Sequence, residues 1–150
     1  MKNRGVAYYK KGDFDRAIVD YTSAIMLDPN YTSAYNNRAI AYVGRGDFDG
    51  AIADYSKAIE LDPNRAFVYH NRGVAHYRKG EYDWALADYT RAIALEPNDN
   101  QAYFDRGVVS KLLGRKAEAI ADFERVLRMQ QDPILQQRAQ QALDELQQGR

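Results

Sequence analysis

The sequence predicts an all-α chain: a solenoid of about four helix–turn–helix units followed by a closing helix. Three observations carry this. Marker residues recur at one interval of 34 residues, at too many positions for coincidence. Within each interval the apolar residues follow a helical period rather than the alternation of a strand. Glycine falls at the same place in all four units and proline at the same place in three of them, where a helix has to stop.

The interval is read from Arg4, Arg38, Arg72 and Arg106, and again from Gly12, Gly46, Gly80 and Gly114. Ala17, Ala51, Ala85 and Ala119 share it, as do Asp20, Asp54, Asp88 and Asp122. Tyr21, Tyr55 and Tyr89 are continued by Phe123, and Pro29, Pro63 and Pro97 close three of the units. The units run over about 1–31, 32–65, 66–99 and 100–132, with a capping helix over 133–148. Unit one starts about three residues short of a full repeat, with no capping segment ahead of it. Either earlier repeats are missing or that face packs on another molecule. In unit two a helix over about 32–45 stops at Gly46, because glycine tolerates the left-handed conformation of a helix C-terminus. Asp47 and Asp49 bring negative charge to the next N-terminus, where the backbone dipole favours it. The second helix, about 48–61, has Ala51, Ile52, Tyr55, Ala58, Ile59 and Leu61 at helical spacing, and Asp62-Pro63-Asn64 ends it. Unit four drifts: Ser110 stands where unit two has Tyr42, Val126 where it has Ala58, and its proline arrives late, at Pro133. From there Ile134, Leu135, Ala139, Ala142, Leu143 and Leu146 form the apolar stripe of a cap, which a repeat array needs at its end.

Tyr35, Ala39, Tyr42, Ala51, Tyr55, Ala58 and Pro63, echoed by Tyr69, Gly73, His76, Ala85, Tyr89, Ala92 and Pro97, resemble the tetratricopeptide repeat family, and bacterial members of it in particular. The resemblance covers residues 1 to about 131. It implies a right-handed superhelix whose first helices line a concave face. Family analogy would then place Asn3, Val6 and Tyr9 of unit one in the groove, flanked by Lys2 and Lys10. Unit two would contribute Asn36, Asn37 and Ile40, with Ser33 and Val43 beside them. Unit three would add Phe67, His70, Asn71, Val74 and Tyr77, with Arg78, and unit four Phe104, Asp105 and Val108, with Gln101. Such a mixture of aliphatic, aromatic and amide groups suits an extended peptide or short helix.

Asn3, Asn37 and Asn71 follow the 34-residue interval, with Asp105 next. An asparagine can donate to a peptide carbonyl and accept from a peptide N–H. A column of them could hold a peptide backbone without reading its sequence, similar to the asparagine ladders of the O-linked N-acetylglucosamine transferase superhelix and importin-alpha. The alternative is that each bonds within its own layer or simply faces water. Specificity would come from apolar pockets near Phe67, Tyr77 and Phe104. The periodic arginines and aspartates, 16 residues apart in every unit, are expected to pair within each repeat. The alternative is an arginine stripe for anionic partners. The carboxylate clamp by which some family members hold chaperone C-termini would fall on Lys2, Val6, Asn37, Phe67 and Asn71, of which only Lys2 and Asn37 agree. No such clamp is expected.

The 150 residues carry 21 Lys and Arg against 21 Asp and Glu, so no net charge steers the chain towards nucleic acid or an anionic membrane. Mean hydropathy is −0.65, and no stretch approaches the ~18 apolar residues of a membrane span. Cysteine is absent, which removes thiolate chemistry and disulfides. His70 and His76 are six residues apart, the wrong spacing for one helical metal face. Arg45-Gly46-Asp47 and the sequon Asn30-Tyr31-Thr32 fall on repeat turns and are by-products of the repeat. The chain therefore reads as a non-enzymatic scaffold or adaptor for a protein or peptide, without cofactor or metal. It would be cytoplasmic unless a signal segment was removed. The rivals are self-association through the uncapped first repeat and a regulatory piece of a larger enzyme.

Overall fold

The computed structural model describes residues 2–149, with Lys2 described by its backbone alone. Among them are nine α-helices and no strand: α1 (Lys2–Lys10), α2 (Phe14–Leu27), α3 (Thr32–Arg45), α4 (Phe48–Leu61), α5 (Ala66–Arg78), α6 (Tyr82–Leu95), α7 (Asn100–Leu112), α8 (Lys116–Met129) and α9 (Pro133–Gln147). The expected boundaries of the second unit coincide with α3 and α4. Their stops have the anticipated causes. Gly46 sits at φ 83°, and its N–H caps carbonyls of the last turn of α3. The Asp47 carboxylate accepts from the Gly50 N–H at 2.9 Å and so caps α4. Asp13, Asp99 and Asp132 cap α2, α7 and α9 in the same way.

Each helix packs on the next along the chain, so the array is a solenoid of hairpins with α9 laid on α8. First helices of successive units also touch, α1 on α3 and α3 on α5, and α9 touches α7, whereas no two successive second helices pack to that extent. The first helices therefore lie on the inside of the curve and the second helices on the outside. The core is a row of small buried residues against rings: Ala17, Ala51, Ala85 and Ala119 are fully buried beside Tyr21, Tyr55, Tyr89 and Phe123. Gly73 shows why small residues are needed, since a Cβ there would lie 2.7 Å from the Tyr89 ring. Tyr35 and Tyr69 each donate their hydroxyl to the carbonyl of the proline that ends the preceding unit, Pro29 at 3.0 Å and Pro63 at 2.9 Å. These bonds tie each unit to its neighbour.

The arginine–aspartate pairs form in all four units as two-pronged bonds at 2.7–2.8 Å: Arg4–Asp20, Arg38–Asp54, Arg72–Asp88 and Arg106–Asp122. They join the two helices of one hairpin, as the spacing predicts, and the guanidiniums are not a stripe for an anionic ligand. They also do something the sequence reading did not foresee. The remaining nitrogen of Arg38 reaches back to Thr22 Oγ1 at 3.1 Å, that of Arg72 to Ser56 Oγ at 3.1 Å, and that of Arg106 to Thr90 Oγ1 at 3.4 Å. Each clasp thus links two repeats.

Hydrogen bonds from Arg4 hold the Asp20 carboxyl below its ordinary range. A carboxylate with a depressed folded-state pKa contributes stability above the unfolded value, and that contribution is lost as the pH falls through the folded one. Below about pH 4 the first repeat should loosen. Asp20→Asn is expected to lower the urea midpoint at pH 7 and to flatten its fall towards pH 2. A wild-type acid limb of undiminished steepness in the variant would assign the loss to other groups.

Candidate functional site

The inner face carries three parallel columns, each built from one residue per first helix. The first is Asn3, Asn37 and Asn71. The second is Val6, Ile40, Val74 and Val108, and the third is Tyr9, Val43 and Tyr77. Within each helix the three columns are three residues apart, so they share one helical face. Asn37 and Asn71 are half-buried, and neither amide makes a hydrogen bond to another described residue. Asn3 and Tyr9 are exposed, and the valine and isoleucine column is half-buried. Phe67, 45% exposed, projects from the start of α5 with the Arg65 guanidinium 5.2 Å from its ring. The arrangement offers amide groups to a main chain and an aliphatic strip to alternate side chains.

Several expected groove residues are placed differently. Asn36 is 7% exposed, and its Oδ1 has no hydrogen-bond partner. It is buried because α3 packs on α1 and α5 as well as on its own hairpin partner, and it is not available to a ligand. Asp105 does not continue the amide column. One of its oxygens meets His70 Nε2 at 2.7 Å and the other accepts from Gln101 Nε2 at 2.9 Å, so the carboxylate is already engaged. His70 is held by that bond and lies against the Tyr89 ring, with centroids 5.4 Å apart. Phe104, expected at the groove surface, is 4% exposed and packs on Phe123. It is covered because α9 places Arg138 over its ring at 4.7 Å. The side chain of Lys2 lies outside the described residues.

Phe104 nonetheless forms part of a cavity of about 120 Å³ at the far end of the groove, together with Tyr77, Tyr89, Asp105, Val108 and Arg138. Its wall is part aromatic and aliphatic and part charged, with room for a single side chain. Burial pushes the Tyr89 phenol well above its ordinary pKa, so the ring presents a neutral wall at any physiological pH. Sequence reasoning missed Tyr89 and Arg138 here. Tyr89 enters the sequence reading only as a marker of the repeat, and Arg138 sits on α9, outside the 34-residue pattern. Apart from this end, the C-terminal helix leaves the hollow open, since it packs on α8 and the edge of α7.

Comparison with known proteins agrees with this architecture. A TPR repeat model matches residues 5–44 and 41–80, and tetratricopeptide repeat models match 66–99 and 101–133. The crystal structure of MamA superposes with a TM-score of 0.90 at 30% identity, over 97% of this chain and 83% of that one. The first TPR of Spaghetti (RPAP3) bound to the HSP90 peptide SRMEEVD gives 0.73 at 33% identity, covering 75% of this chain and 90% of that one. The second TPR domain of human RPAP3 in complex with the HSP70 peptide SGPTIEEVD gives 0.70 at 31%, covering 73% and 91%. No curated protein matches the chain by sequence. With repeat models spanning nearly its whole length, and with clasps, glycine stops and small-residue contacts at the same places in every hairpin, the chain belongs to the tetratricopeptide repeat family.

Proposed function

We propose that the chain is a protein-binding module that takes up an extended segment of a partner along its concave face. The observation that carries this reading is the pair Asn37 and Asn71. They stand one repeat apart, open to the groove and without intramolecular hydrogen bonds, beside the strip of Val6, Ile40, Val74 and Val108. Amides in such a position can satisfy a peptide main chain, and the strip favours apolar side chains on the segment. The pocket of Tyr77, Phe104 and Val108 would take one of these side chains and fix the register.

The RPAP3 domains hold chaperone peptides ending in EEVD. This groove differs where such a tail would need cations: Phe67 and Asn71 occupy the places of the clamp's later Lys and Arg, and the Asp105 carboxylate lies nearby. An acidic tail would find little to neutralise it, and the segment preferred here is neutral and apolar rather than anionic.

The test starts from a peptide selected by display against the full chain. Asn37→Ala combined with Asn71→Ala should weaken that peptide by about 5- to 100-fold, since each direct hydrogen bond contributes about 0.5–1.5 kcal/mol, while the circular dichroism of the helices stays unchanged. SRMEEVD and SGPTIEEVD should bind no better than scrambled versions. Equal affinity of the selected peptide for wild type and double variant would rule out the amide column as the binding element.

A further inference from the structure

In the first two connections between units, the acid that follows the second helix is used by the turn itself. Asp28 accepts from the Asn30 N–H at 3.1 Å, and Asp62 from the Asn64 N–H at 3.5 Å. Asp62 is also paired with Arg65 at 3.6 Å, and the next residue, Ala66, is buried. The third connection departs at each of these places. Glu96 stands where Asp28 and Asp62 do, and its carboxylate makes no such bond. Asp99 replaces Arg65, which reverses the charge, and Asn100 replaces Ala66. Tyr103 does not hold the Pro97 carbonyl as Tyr35 and Tyr69 hold those of Pro29 and Pro63. One connection later, Asp132 takes the place of Asn30, Asn64 and Asn98.

These departures converge on one cavity of about 750 Å³ between the α6–α7 and α8–α9 connections. Glu96, Asp99 and Asp132 line it, and none of them meets a cation among the described residues. One oxygen of Asp99 caps α7 and one of Asp132 caps α9. Their second oxygens have no donor among the described residues. Leu95, Pro97 and Leu135 supply apolar wall. Asn100 lines the cavity too. It is 7% exposed, and its amide nitrogen and oxygen are both buried without a hydrogen-bond partner. Such an amide destabilises a fold unless something satisfies it, and the alanine of the preceding unit shows that the turn packs without it.

We propose that this cavity receives an arginine side chain of a partner protein. A guanidinium carries five donors and no acceptor, which suits a site of unpaired carboxylates. Its planar fork can meet two of them at once, as an ammonium cannot. The aliphatic stem would lie along Leu95, Pro97 and Leu135. A metal ion fits less well, since no three acids or histidines among the described residues stand close enough together to hold one. The peptide group beside the arginine supplies both the donor and the acceptor that Asn100 lacks, which favours a residue within a chain over a free guanidine. No lining residue belongs to the amide column or the aliphatic strip, so the site does not rest on the groove reading.

The experiment titrates acetyl-Ala-Arg-Ala-amide into the isotope-labelled full chain and follows it by NMR. Saturable shifts confined to residues 95–101 and 131–135 are expected, with the Asn100 side-chain amide among them. The same peptide with lysine should bind about tenfold more weakly or worse, as should the one with citrulline, which keeps the shape without the charge. Glu96→Gln, Asp99→Asn and Asp132→Asn together should abolish saturation with unchanged circular dichroism, because asparagine caps a helix as well as aspartate does. Asn100→Ala should raise the thermal midpoint and yet weaken the peptide, which a purely structural residue would not do. Asn37→Ala with Asn71→Ala should leave this binding unaltered. No saturable shift at millimolar peptide would overturn the proposal, as would equal affinity of the citrulline peptide or of the triple variant. Agmatine binding as tightly as the peptide would overturn the assignment to a partner's chain and give the cavity to a small guanidine.

Discussion

Arg72→Ala is expected to lower the free energy of unfolding by about 3–5 kcal/mol, the range for removing one partner of a buried ion pair. The variant strands Asp88, which is 5% exposed, without its two-pronged partner. It also removes the bond to Ser56 that couples the second and third repeats and the guanidinium beside the Tyr69 ring at 5.8 Å. Because a repeat array is stabilised by nearest-neighbour interfaces, the loss should appear as an early transition of the hairpins on either side of the break rather than a uniform shift. Arg4→Ala is expected to cost less, since its side chain is largely exposed and water can reach Asp20 once it is gone. Urea unfolding followed by circular dichroism measures both. Replacing Arg72 and Asp88 together by apolar residues of similar size should recover much of the loss. Equal penalties for Arg4→Ala and Arg72→Ala would mean that the link between repeats contributes nothing beyond the hairpin pair.

Phe123→Ala should be nearly as damaging, at about 3–5 kcal/mol for a fully buried phenylalanine. The ring is wholly buried, stands 5.5 Å from the Phe104 ring, and packs so close to the backbone of α7 that a Cβ at Gly107 would lie 2.9 Å from it. It belongs to the same cluster as Leu135, Ala139, Leu143 and Leu146, so the cavity left behind would open where α9 docks. Amide hydrogen exchange should therefore show α9 losing protection before α2 to α5 do. Phe104, which lines the pocket with Tyr77 and Arg138, would lose the ring that supports it, and a bound peptide should weaken although no residue that faces it has been changed. Phe123→Tyr, which adds a hydroxyl at a fully buried site, should cost about 1–3 kcal/mol. If Phe123→Ala left α9 as protected as before, the cap would be held by contacts other than this cluster.

The helices and their stops could be read from the chain because each rests on local chemistry. Gly46 stops α3 through its own φ, and Asp47 caps α4 through a bond three residues away. The clasps were legible for a related reason: a salt bridge repeated in every hairpin appears as two residue types at constant separation. The same evidence held Thr22, Ser56 and Thr90, also 34 residues apart, but their role needs the distance from one hairpin to the previous one. Asn36 and Asn37 show where the reading stopped. They are neighbours with identical side chains, yet one is buried between first helices and the other opens to the groove, because the approach of α1, α3 and α5 covers only one side of the helix. Asp105 falls on the ladder's interval but is drawn to His70 in the preceding unit, a contact no periodic pattern marks.

The sequence by itself determined the elements, their order, the hairpin clasps and the family, since these depend on residues within one unit and repeat from unit to unit. Only the tertiary structure decided which amides remain free and how Arg138 roofs Phe104. Those features depend on how tightly neighbouring units approach and where the non-repeating α9 comes to rest, and packing between unlike surfaces leaves no interval in the chain to read.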